Sequence, residues 1–80
     1  MNRVVDDADF PDAWMAWARE LADGPTFAIT GMKANVHDAL HLPLAEALPL
    51  EAERMVASAR TDAHREARQA WLDGRPPEFR

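Results

Sequence analysis

The chain is punctuated three times by residues that interrupt helices, and between those breaks its apolar residues recur with helical period. Gly24-Pro25, His41-Leu42-Pro43 and Gly74 followed by Pro76-Pro77 are strong stop signals, and Thr61-Asp62 is a start signal. The intervals hold Phe10/Trp14/Trp17/Ala18/Leu21, then Ala28/Met32/Val36/Ala39/Leu40 with Ile29 beside them. Leu44/Leu48/Ala52/Met55/Val56/Ala59 and Ala63/Ala67/Ala70/Trp71 complete the series. Each set lines one face of a 3.6-residue helix. The spacing therefore predicts an all-α fold, a small four-helix domain, with the first stripe buried.

The boundaries follow from local chemistry. Phe10-Pro11-Asp12 opens the first helix, where proline is tolerated and aspartate meets the positive dipole end. Gly24 is expected to stop it as a left-handed C′ residue, and Pro25 to be the first residue of the second helix. Gly31 weakens that helix while letting another backbone approach. Pro49 is expected to kink the third helix, about Leu44 to Arg60, or to delay its start. Thr61 or Asp62 caps the fourth, and Gly74 ends it. Residues 1–9 read as a tether or the remnant of a strand from a larger α/β core, and residues 10–80 as the helical domain. Phe79, in a polar tail, is expected to fold back onto something.

The core available to such a fold is small. Of the apolar residues, 16 are alanine and only 22 are larger, so a chain of this length gains much from a partner surface. Without cysteine there is no disulfide and no thiolate metal site. Nothing approaches the ~18 consecutive apolar residues of a membrane span, and no secretory signal is legible. The expectation is a cytoplasmic protein that does not enter membranes. The net charge of −5 argues against a general nucleic-acid binder.

Candidate chemistry is sparse. His37-Asp38-Ala39-Leu40-His41 has the spacing that brings two imidazoles to one helical face. Zinc proteases carry glutamate where Asp38 stands, and spacing supplies no third ligand, since His64 belongs to another helix. Asp6, Asp7 and Asp9 lack the glycine and terminal glutamate of an EF-hand loop. No phosphate loop or nucleophile elbow occurs. Neither a catalytic residue nor a metal site is assigned. Trp14 and Trp17 fall on the expected buried stripe; Trp71, one turn before the helix end, is freer to meet a ligand.

A series of short motifs resembles the C-terminal helical region of the enoyl-CoA hydratase/isomerase (crotonase) superfamily. Asn2-Arg3-Val4-Val5 looks like the strand that ends the family's α/β core. Ala22-Asp23-Gly24-Pro25 is similar to its A-x-G-P turn, and Ala28 with Lys33 to the following A-x₄-K. Leu44, Ala47-Leu48 and Glu51-Ala52 resemble L-x-x-A-L-x-x-E-A. Thr61-Asp62 with Glu66, Ala70-Trp71-Leu72 and Arg75-Pro76-Pro77-Glu78-Phe79 resemble the closing motifs. Together they run from about Asn2 to Phe79. Departures are Ala67 for a glycine, Gly74 for a basic residue, and Pro49 within a usually continuous helix.

The resemblance implies a C-terminal oligomerisation and active-site-covering domain. Its partners would be the parent α/β core and neighbouring subunits in a trimer-type assembly. From its small core, the isolated chain is expected to self-associate or to present an open apolar face. The parent would hydrate or isomerise an acyl-CoA thioester, so coenzyme A enters as part of the parent's substrate and no cofactor is assigned to this chain alone. Trp71, Arg75, Lys33 and Met55 are the positions the resemblance places near CoA. The family's catalytic carboxylates and oxyanion-holding N–H groups lie in the core, and this chain alone is expected to be inactive. The competing reading is a free-standing helical interaction module whose Trp/Met faces bind a partner helix.

Overall fold

A computed structural model describes residues 1–80, and its architecture is all-α. The four helices are α1 (Phe10–Ala22), α2 (Thr26–Ala39), α3 (Leu44–Ala59) and α4 (Asp62–Asp73). Residues 1–9 form no strand. Arg3 instead lies over the Trp17 ring, 4.3 Å from its centroid, and 3.6 Å from Glu20. The N-terminal segment thus runs back along α1.

Helix ends follow the sequence with instructive exceptions. Thr61 caps α4, its hydroxyl accepting from the His64 N–H at 3.2 Å. Gly74 closes α4 in the left-handed region at φ 68°, with Arg75 N–H donating to Ala70 O at 3.0 Å and Gly74 N–H to Trp71 O at 3.3 Å. Gly24 does not behave this way, because its φ is not positive. What it supplies is room: a Cβ there would stand 2.8 Å from Ile29 Cδ1 and 3.2 Å from Leu21 O. Pro25 occupies the N-cap of α2, one residue earlier than expected. Pro49 does not delay α3, which starts at Leu44 and carries the proline inside. Its first turn is secured by Pro43 O, which accepts from the Glu46 and Ala47 N–H groups at 2.9 and 3.0 Å.

The stripes that define these helices are not buried within the chain. Ala70 is the one fully enclosed residue. Phe10, Trp14, Leu21, Met32, Val36, Leu40, Leu44, Leu48, Met55 and Trp71 are all about half exposed or more. Trp17 is half-buried. The expected α1 core is therefore corrected to open surface, while the open faces of α2 and α3 match the open apolar face expected of the isolated chain. In α4, Ala63, Ala67 and Ala70 do turn inward, but Trp71 does not.

Small and polar residues make the helix–helix contact instead. The main junction is between α2 and α3, with a shorter one between α3 and α4. Ala28, Gly31, Asn35 and Asp38 on α2 are half-buried, as are Ala47, Leu50, Arg54 and Ser58 on α3. Both sets have helical spacing. The Arg54 Cβ lies 3.9 Å from where a Gly31 Cβ would be, an ordinary contact with a side chain and not the close backbone approach expected of that glycine.

The resulting shape is a slab of 45 × 37 × 17 Å with a radius of gyration of 16.0 Å. A compact chain of this length would have a radius near ~11.6 Å. The accessible surface is 6890 Å², against about 4,850 Å² for a compact monomer of this mass, an excess of about 2,000 Å². That excess is as large as a full protein–protein interface, ~1,200–2,000 Å². No helix is long and apolar enough to cross a membrane.

Candidate functional site

A groove of about 330 Å³ lies between α2 and α3, reaching the start of α4. Phe27 and Met32 form one wall and Met55 the other, with His64 at one end. Asn35 and Arg54 also line it, and they belong to a polar junction between the helices. Arg54 Nη1 donates to Asn35 Oδ1 at 2.8 Å, and Arg54 Nη2 lies 2.6 Å from Asp38 Oδ2. Both ends of this pair are mostly shielded, at 30% and 23% side-chain exposure. Breaking such a pair by removing one partner leaves a charge stranded. The arginine thus works as a clamp between two helices whose apolar faces point elsewhere.

A second polar assembly fixes the tail. Glu66 on α4 accepts two hydrogen bonds from Arg75, 2.7 Å from Nη1 and 3.2 Å from Nη2, and a third from the Glu78 N–H at 3.0 Å. The paired geometry is the forked carboxylate–guanidinium arrangement. These bonds hold the Glu66 carboxyl down at about 2, chiefly through Arg75 and then the Glu78 N–H, and they raise Arg75. Beyond them, Arg80 donates to Ala22 O at 3.3 Å and pairs with Asp23 at 2.9 Å. The tail therefore returns to the end of α1, and Phe79 is half-buried beside Asp23.

The four positions singled out by resemblance are not gathered into one pocket. Met55 lines the α2–α3 groove at 67% exposure. Lys33 is exposed on α2 and does not line that groove. Trp71 is exposed near the end of α4, at 80%. Arg75 is engaged by Glu66 and by Asp73, 3.3 Å away, so its charge is already shared between two carboxylates. His37 and His41 do meet, with ring centroids 4.7 Å apart and planes at 65°. No group of three or more His, Cys, Asp or Glu side chains is placed to enclose a metal ion.

Sequence reasoning missed Asn35, Asp38 and Arg54 as packing residues and Glu66 as the anchor of the tail. A signal existed for the first set. Ala28, Gly31, Asn35 and Asp38 share a helical face of small and polar groups, a pattern suited to close helix contact with a buried polar link. Nothing local marked Glu66, whose partners lie nine and twelve residues away.

Fold and surface together define a class: an all-helical segment with no enclosed cluster of catalytic groups, whose large side chains face outward over an area the size of an interface. Sequence comparison relates this segment to named proteins. Over 76 residues, 95% of its length, the chain is 40% identical to a probable enoyl-CoA hydratase of Rhodobacter capsulatus. Over 56 residues, 70% of its length, it is 41% identical to a probable enoyl-CoA hydratase of Mycolicibacterium paratuberculosis. The chain is thus similar to a segment of enoyl-CoA hydratases, consistent with a fragment of the crotonase superfamily. It spans 30% and 22% of those relatives, less than a third of their length. No family model matches it.

Proposed function

We propose that this chain is the C-terminal oligomerisation and active-site-covering part of an enoyl-CoA hydratase-like protein, with the catalytic core supplied by other sequence. The observation that carries this is the mismatch between helical order and burial. Four regular helices present Phe, Trp, Leu and Met in periodic rows, yet enclose only an alanine among themselves. Rows of that kind are maintained by burial, so their counterpart lies outside the 80 residues. A parent core and neighbouring subunits would supply it.

In the parent reaction, negative charge grows on the thioester oxygen and is held by donors aimed at it. This segment's part is to exclude water and to position the CoA end of the substrate. Trp71 offers an open aromatic face to a purine ring, and Met55 an apolar wall. Lys33 offers an uncommitted cation. Arg75 stands by the tail, and its pairing with Glu66 directs it to holding Pro76–Arg80 in place before any phosphate contact. Cover by such a segment strengthens every interaction inside the site by lowering the local dielectric.

The test uses the Rhodobacter capsulatus relative. Its matching stretch is deleted in one variant and replaced by this chain in another, and each is assayed for assembly by sedimentation and for hydration of crotonyl-CoA. The reading requires deletion to lose assembly and activity, and replacement to restore assembly. A deletion variant that keeps its oligomeric state and kcat/KM would refute it.

A further inference from the structure

We propose that His37 and His41 form a two-imidazole site for a divalent late transition cation at the end of α2. Their four-residue spacing puts both on one side of the helix axis, and the structure brings the rings to a centroid separation of 4.7 Å. That distance has a specific meaning. A metal–nitrogen bond of about 2.0–2.1 Å places an imidazole centroid about 3.2 Å from the ion. Two such rings at bond angles of roughly 90–109° have centroids about 4.5–5.2 Å apart. The observed separation falls inside that range, as a shared ion would require.

The surroundings fix the chemistry. Asp38 lies between the two histidines in sequence, but its carboxylate is taken by Arg54 2.6 Å away. The donor set is therefore two neutral imidazoles, with the remaining positions left to water. Imidazole suits zinc, copper and nickel, while magnesium and calcium require oxygen. Both histidines are exposed, so the ion can enter directly. With two protein ligands and no carboxylate base, the site is a chelate and not a hydrolytic centre. His37 belongs to the last turn of α2 and His41 to the turn before α3. A bound ion would fasten that turn to the helix, fixing the end that displays Leu40.

The test is titration of the 80-residue chain with nickel chloride and zinc chloride by calorimetry. Saturable one-to-one binding below millimolar concentration is expected, and magnesium chloride should give none. Loss of an outer-shell partner alone weakens metal sites by roughly 10–100-fold, so His37→Gln and His41→Gln should each weaken binding at least tenfold. His64→Gln should leave it within about twofold. In the unsubstituted chain, paramagnetic nickel should broaden the ring resonances of His37 and His41 before those of His64, a readout that needs no variant to fold. Absence of binding at one millimolar, indifference to both substitutions, or equal broadening of His64 would overturn the proposal.

Discussion

Replacing Met32, Val36 and Leu40 together by glutamine separates burial within the chain from burial against something else. These residues lie at i, i+4 and i+8 on α2, and are 58%, 65% and 74% exposed. Were they the chain's own core, each large-to-polar change would cost about 2–5 kcal/mol. The sum, about 6 kcal/mol or more, would consume much of the roughly 4–12 kcal/mol expected of a domain this size. Because they stand open, each change should fall within about 0.5 kcal/mol, and glutamine is a better helix former than valine. The cost should appear on covering instead. Full burial of such a side chain is worth about 1.5–3 kcal/mol, and roughly two-thirds of each is uncovered, so a covering partner loses about 3–6 kcal/mol. That corresponds to at least about 100-fold in affinity. Far-ultraviolet circular dichroism, at a dilution where the unsubstituted chain sediments as a monomer, should show unchanged helix content. Sedimentation at higher concentration should show weakened self-association. A collapse of the helical signal in the monomeric regime would refute the reasoning, because it would place the stripe in the chain's own core.

Other consequences follow from particular residues. The lowered Glu66 carboxyl contributes stability that is present above the unfolded value, near 4.5, and is lost as pH falls through about 2. The tail contacts, followed by the Glu78 amide and Phe79 ring resonances, should therefore release across that interval, and Glu66→Gln should abolish the transition. Gly31→Ala should raise helix stability by up to about 1 kcal/mol, since the added Cβ meets only an ordinary contact. Gly74→Ala should cost about 1–2 kcal/mol at its left-handed φ, and Gly24→Ala should destabilise by crowding Ile29. Thermal melts of the three variants would reverse this account if Gly31→Ala proved the most damaging. The purified chain alone should not hydrate crotonyl-CoA, and saturable turnover after exclusion of host enzyme would contradict that.

The helices were legible in the sequence because their determinants are local. Periodicity, the Thr61 cap and the Gly74 terminator each act within a few residues, and all appear where expected. Gly24 was legible as a break but not as to cause, since its constraint comes from Ile29 across the turn. Pro49 shows the reverse error: the cost of a proline in a helix is real, but five residues precede it in α3 and carry the first turn. The packing was misread for a deeper reason. A periodic apolar row says that a face is buried, not what buries it, and here the chain's own contacts use the small and polar rows around Gly31, Asn35 and Arg54. The resemblance marked Met55, Trp71, Lys33 and Arg75 one position at a time. It carried no information on their arrangement, which depends on surfaces beyond these four helices.

That the sole enclosed side chain is an alanine bears on how this sequence can change over time. No pocket inside the chain selects for the bulk of Val36, Leu40 or Trp71, which stand 65%, 74% and 80% exposed. Where such residues nonetheless persist in register, they are an imprint, a negative cast of a neighbouring shape kept in the side chains that touch it. Drift at these positions should consequently track drift in the covering surface, while the Arg54 clamp and the Glu66 anchor vary independently of it.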